Sequence, residues 1–171
     1  MKKIFGFVLA ALLFAAVPAG AAAGKIGVID LQKVLRTSAA GQAAQKTIAD
    51  KAQAFQKTMQ SRQNDLKKLN DEFEKQKMML SKEAIADKER DLQQKVKDFQ
   101  RFGKDAQEEL QQEDRQATSR ILDEVAKIVK DLGVKQGYDL IVEKSTTLYA
   151  PESVDMTDAV IKAYDKKYKG K

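Results

Sequence analysis

No glycine occurs between Gly41 and Gly103, and no proline between Pro18 and Pro151. Glycine interrupts a helix through its backbone freedom and proline through its missing N–H, so a run without either has one economical conformation, long α-helix. The apolar residues agree. Ile48, Ala52, Phe55, Met59, Arg62, Leu66, Leu69, Phe73, Gln76 and Leu80 follow one another at alternating steps of four and three, with Arg62 and Gln76 as the polar members. This is the spacing of a coiled-coil seam. A second stripe runs through Leu92, Val96, Phe99, Gly103, Ala106 and Leu110, then Ala117, Ile121, Val125, Ile128 and Leu132. An extra step around Ala117 to Ile121 shifts its register.

If the chain reverses at Ser81, residues equally far from it along the sequence face each other. Leu66 then meets Val96, Met59 meets Gly103, Phe55 meets Ala106 and Ala52 meets Leu110. Large faces small throughout, as a close-packed seam requires. Ser81 is a good helix N-cap, and Glu83 and Asp87 early in the next helix favour its dipole. The expectation is an antiparallel helical hairpin, with residues 42–79 running out, 82–132 running back and a tip near 78–83. Around the tip lies the stretch KMMLSKEAI. Leu80 continues the first stripe and Ile85 begins the second, but Met78 and Met79 are adjacent and cannot both enter one seam. At least one should be exposed, and methionine suits a surface that accepts varied apolar shapes. Phe102, beside Phe99 and off the seam, is a further candidate contact; the alternative is that it wraps against the neighbouring helix. The arms should be less stable than the base and flex toward the tip and around Gly103.

Both ends of the chain read differently. Lys25-Ile26-Gly27-Val28-Ile29-Asp30 is a strand pattern that passes into a helical one at Leu31 to Leu35. Gly133 and Gly137 bracket the end of the long helical region. Tyr138 to Glu143 (YDLIVE) reads as a buried strand, and Thr146 to Ala150 (TTLYA) as another that Pro151 ends. Asp155 or Thr157 caps a short amphipathic helix carrying Ala159, Val160, Ile161 and Tyr164, with a basic, frayed tail from Asp165. Residues 24–41 and 133–171 thus form one body and 42–132 an arm. The fold class is mainly α with a small β body. A body this small, with no cysteine for disulfide staples, is near the size at which a lone core is marginal, and oligomerisation would complete it.

The first 23 residues have the layout of a secretory leader: basic Met1-Lys2-Lys3, an apolar stretch from Ile4 to Val17, then Pro18 and small residues including Ala19-x-Ala21. The apolar stretch is shorter than the ~20 residues a spanning helix needs. A mature chain starting near Ala22 or Gly24 in an exported compartment, most simply a bacterial periplasm, is expected. Histidine is absent as well as cysteine, which removes thiol nucleophiles, the common zinc and copper ligand sets and the usual near-neutral general base. Charged residues make up 33% of the chain and tryptophan is absent, a long-helix composition rather than that of a compact enzyme. The formal net charge of +6 falls to +4 without Lys2 and Lys3, a mild basic excess that gives no reason to invoke nucleic acid.

KIGVIDLQKVL with Ser38 and Gly41, a long charged hairpin, and GYDLIVEKSTTLYAPESVDMTDAV together resemble the Skp/OmpH family of periplasmic chaperones. The likeness spans essentially the whole chain after the leader. Its specific parts are Val28-Ile29-Asp30 with Gln32-Lys33-Val34, and Tyr138-Asp139-Leu140, Leu148-Tyr149 and Val154-Asp155-Met156-Thr157 with Val160; the arms match in character only. The resemblance implies a homotrimer in which strands from three subunits form a body and three hairpins surround a cavity. It implies that unfolded outer-membrane proteins are held there without nucleotide or metal, so that no cofactor is expected. Under it Ile26, Val28, Ile29, Leu140, Val142, Leu148 and Tyr149 build the trimer body. Client contacts in the family carry no sharp motif, so Met78, Met79, Leu80, Ile85 and Phe102 are candidates from the residue pattern alone. A lipopolysaccharide site has been proposed in the family; Lys75, Lys77, Lys82, Lys88 and Arg90 are candidate cations near the tip, without a motif match, for that ligand or a membrane surface.

Two functional readings follow. The first is an ATP-independent holdase whose flexible arms enclose a nonnative client by many weak contacts. The second is a structural spacer or adaptor of the cell envelope whose tip docks on one defined partner. An enzyme ranks below both, because the paired carboxylates look like solvated helix faces and no pocket is implied.

Overall fold

The computed structural model describes residues 24–168; the residues expected to form a leader and the last three residues lie outside them. Strand β1 (Ile26–Ile29) leads into a short helix α1 (Leu31–Thr37), then α2 (Ala39–Gln76), a 3₁₀ turn (Lys77–Met79) and α3 (Lys82–Gln136). Strand β2 (Leu140–Glu143) and two further 3₁₀ turns precede helix α4 (Thr157–Tyr168). At 1.5 Å per residue, α2 and α3 are ~57 and ~82 Å long. The architecture is the expected one: a long helical hairpin on a small β-containing body.

Local sequence sets each boundary. Asp30 starts α1, its carboxylate accepting from the Lys33 amide at 2.7 Å. Ser38 is buried and starts α2 by accepting from the Gly41 amide at 3.2 Å. Helix α2 begins at Ala39, earlier than expected, and takes Gly41 into its first turn. There a Cβ would stand 1.9 Å from the carbonyl oxygen of Leu35. Glycine is therefore required by the close approach of α1 and α2. Helix α3 begins at Ser81 as expected, with the hydroxyl accepting from the Ala84 amide at 3.2 Å. It continues past Gly133 and stops at Gly137, whose φ of 67° is left-handed backbone and whose amide reaches the Gly133 carbonyl.

The two strands pair in parallel, Ile26 with Leu140 through Ile29 with Glu143, so the entire hairpin is the crossover between them. Beyond β1 the chain returns once more: Val28 bridges Asp155, and the Met156 amide donates to the Val28 carbonyl at 2.9 Å. On one side of this ribbon lies the core, built from Ile29, Val34, Ile121, Val125, Ile128, Met156, Val160 and Tyr164. Ile121, Val125 and Ile128 belong to the stripe assigned to the arm, so the root of α3 is as much body as arm. Tyr164 is fully buried, and its hydroxyl donates to Glu124 Oε2 at 2.7 Å. Burial first, then this carboxylate, pushes its pKa well above the ordinary phenol range.

Two expectations for the C-terminal part need correction. Thr146 to Ala150 is not a strand. Lys144–Thr146 forms a 3₁₀ turn, in which the Glu143 carboxylate accepts from the Ser145 amide at 2.6 Å and the Thr146 and Thr147 hydroxyls donate to the Glu143 carbonyl. These local bonds turn the backbone away from β2, and Thr147 to Ala150 pair with no strand among the described residues. Nor does the helix fray from Asp165. It runs to Tyr168, and Asp165 accepts from the Ala39 amide at 2.9 Å, so the C-terminal helix helps cap the start of α2. Of the two proposed caps of α4 it is Asp155 that serves, accepting from the Thr157 amide at 2.9 Å. The Thr157 hydroxyl instead accepts from the Asp30 amide at the same distance.

Candidate functional site

Of the four pairings counted outward from Ser81, that of Met59 with Gly103 is the one seen directly. A Cβ on Gly103 would stand 3.3 Å from the Met59 methyl, which places that pair in direct opposition. The Phe102 ring meets the Phe55 ring edge-on with centroids 5.9 Å apart, and the Arg62 guanidinium lies over its face at 4.2 Å. Phe102 is therefore half-buried against the neighbouring helix rather than freely exposed. Arg62, one of the two polar members of the first stripe, covers it. Toward the tip from this cluster lies a groove of about 250 Å³ lined by Arg62, Leu66, Leu69 and Phe99 with flanking charges. Val96, expected opposite Leu66, is 39% exposed.

Ion pairs span the helices at two levels. Near the root Lys51 Nζ lies 2.5 Å from Glu113 and 3.3 Å from Glu109. The Glu113 carboxylate, outweighing partial desolvation and helped by Glu109, holds the ammonium above the ordinary lysine range. Near the tip Lys77 lies 3.7 Å from Glu89 and 4.0 Å from Glu74, over the ring of the buried Phe73. Counting outward from Ser81 sets Lys51 opposite position 111, midway between Glu109 and Glu113, so testing charged residues as well as apolar ones would have found this cluster.

At the tip Met78 and Met79 are 97% and 83% exposed, while Leu80 and Ile85 are half-buried. One exposed methionine was the minimum expectation; the 3₁₀ turn of Lys77–Met79 presents both. Of the basic residues around them, Lys77 is engaged by Glu74 and Glu89, and Arg90 pairs with Asp87 one turn away. Lys75, Lys82 and Lys88 form no ion pair among the described residues.

The seven candidate body residues divide in two. Val28 and Ile29 are buried within this one chain. Ile26 and Leu140, cross-strand partners, are about half exposed at 49% and 53%, Val142 is half-buried, and Leu148 and Tyr149 project fully or nearly so. Val134, on the last turn of α3, is likewise exposed and was not singled out by the sequence. Among the described residues no helix is long and apolar enough to cross a membrane, and no cluster of three or more acidic side chains is placed to hold a metal ion.

Comparison with known proteins agrees with this architecture. Over 95% of its length the chain is 20% identical to the chaperone protein Skp of Pectobacterium atrosepticum, covering 98% of that protein. It is 27% identical to a Skp-like protein of Pseudomonas aeruginosa PAO1, covering 94% of this chain and 96% of the relative. A crystal structure of an OmpH-like protein from Caulobacter crescentus CB15 superposes with a TM-score of 0.81, covering 88% of this chain and 89% of that one at 21% identity, a likeness of fold. The family model described as outer membrane protein (OmpH-like) matches residues 25–164. Spanning body, both arms and most of α4, that match makes this chain a member of the OmpH-like family.

Proposed function

We propose that this protein is an ATP-independent holdase of the bacterial periplasm that keeps unfolded outer-membrane proteins from aggregating between its helical arms. The observation that carries the reading is the placement of Met78 and Met79. Two nearly fully exposed methionines stand at the end of ~57 Å of helix, outside the core of the body. Large apolar side chains so exposed mark a contact surface, and methionine's unbranched thioether adapts to many shapes. Kinship to a chaperone protein Skp supports the same reading, as does the resemblance of the first residues to an export leader. Leu80 and Ile85 would join the contact when the tip loosens, and Phe102 when the arms part. Lys75, Lys82 and Lys88, interspersed with Glu74, Glu83 and Asp87, are the tip cations left to meet acidic client segments or an anionic lipid surface.

The body supports assembly into a homotrimer. Ile26, Leu140, Leu148, Tyr149 and Val134 expose apolar area that a solitary subunit would leave in water, and no strand among the described residues covers the outer edge of β2. Shared burial there would root several arms around one space. No nucleotide enters the reading, so release follows from the client's own folding or transfer to a tighter site.

The deciding experiment is light scattering of a urea-denatured outer-membrane β-barrel protein diluted into buffer with and without this protein, alongside a native mass measurement. Suppressed scattering at an equimolar ratio to a trimer is the expected outcome. Full aggregation in the presence of an intact oligomer overturns the reading.

A further inference from the structure

The chain has five methionines and no cysteine, so all its sulfur is thioether. Met1 lies outside the described residues, and the other four occupy contrasting surroundings. Met156 is in the core, its Sδ 2.8 Å from where a Cβ on Gly27 would stand. Met59 is half-buried in the seam, its methyl turned onto Gly103. Met78 and Met79 sit side by side in a single 3₁₀ turn with almost their whole surface in water. A thioether reacts through a sulfur lone pair, and packing protects it by excluding the oxidant. Only the tip pair, among the described methionines, has no such protection.

We propose that Met78 and Met79 form a paired oxidation site through which peroxide-class oxidants switch off the apolar surface of the tip. In each event a sulfur lone pair attacks one oxygen of hydrogen peroxide. The S–O bond forms as the O–O bond breaks, sulfur loses two electrons, and the second oxygen leaves as water. The product sulfoxide is polar and accepts hydrogen bonds, so a turn that offered apolar area offers acceptors instead. Reduction by a methionine sulfoxide reductase, with two electrons and two protons, removes the oxygen as water and restores the surface. The fold confines the change. Both sulfurs lie beyond the seam and outside the core, so oxidation alters the tip without loosening the body. The regulatory half of this proposal rests on the client-binding reading above; the site itself does not.

The experiment treats the folded full chain with dilute hydrogen peroxide, maps the added oxygen by peptide mass spectrometry over time, and measures binding of a urea-diluted outer-membrane protein before and after. Met78 and Met79 should be oxidised about tenfold faster than Met156, with Met59 between them. Equal rates at the tip and at Met156 overturn the site, whether or not any client binds. Treated protein should bind client about threefold or more weakly than untreated protein, with the thermal unfolding of the body unchanged. A double variant, Met78→Leu with Met79→Leu, should show no change between its own treated and untreated forms, whatever its starting affinity. If wild-type binding survives full oxidation at both residues, or the double variant loses affinity on treatment as the wild type does, the switch is overturned. If untreated wild type binds no client, the holdase reading fails together with the switch, and the oxidation rates still decide the site.

Discussion

A Cβ placed on Gly103 would come 3.3 Å from the methyl of Met59 on the facing helix. The gap is tight but its far wall is the end of a flexible side chain, so an added methyl is accommodated by a small movement of Met59. Glycine inside a helix also costs about 0.5–1 kcal/mol relative to alanine. Gly103→Ala should therefore stabilise the arm by about that amount, seen as slower amide hydrogen exchange on both helices around residues 59 and 103. A larger residue, as in Gly103→Leu, should force the helices apart and speed exchange there. Faster exchange in the alanine variant would mean that the helices require the glycine for contact.

The part-buried hydrogen bond between Tyr164 and Glu124 joins α4 to the root of α3. Tyr164→Phe keeps the packed ring and removes only the donor, a loss of about 1 kcal/mol. Tyr164→Ala empties a fully buried site and should cost ~3–5 kcal/mol. Chemical denaturation of both variants gives the ratio. Near-equal losses would show that the hydroxyl, and not the ring, is what holds α4.

Asp155 caps α4 and pairs with Lys144 at 3.0 Å. Burial opposes its ionisation, but the Thr157 hydrogen bonds and then the Lys144 ammonium outweigh that, and its pKa is lowered to about 2 from an ordinary 3.8. A depressed carboxylate stabilises the fold above its unfolded pKa and loses that stabilisation as pH falls through the folded value. The stability difference between wild type and Asp155→Asn should thus be steady near neutrality, about 1 kcal/mol after allowance for solvent screening. It should shrink between about pH 4 and pH 2. A difference that stays constant through that window would assign the effect to packing rather than charge.

The hairpin was legible because helix period, absence of breakers and a serine cap at position 81 all speak locally. The contact of Met59 with Gly103 followed from counting outward from that cap. Less could be read where partners decide. The stripe through Ile121, Val125 and Ile128 shows that one face is buried but not against what, and its partners prove to be α4 and α1 with the first turns of α2 at Ala40 and Ala44. TTLYA has β-branched and aromatic composition, yet the Thr146 and Thr147 hydroxyl bonds to Glu143 turn the chain away from β2 at its first residues, a competition that strand propensity does not register. Asp165 looked like part of a frayed tail because its partner, the Ala39 amide, is far away in sequence. At the tip, adjacency alone required one exposed methionine; that both are exposed depends on the 3₁₀ geometry of the turn.

The proposed holdase grips nonnative polypeptide through the exposed methionines at its tip. This grip is tested most directly by titrating an unfolded outer-membrane protein into wild type and into a Met78→Ser, Met79→Ser double variant, with thermal unfolding of the body followed in parallel. Affinity should be weaker by about threefold to tenfold in the variant, with no change in unfolding temperature. Equal affinity for the two proteins would contradict it.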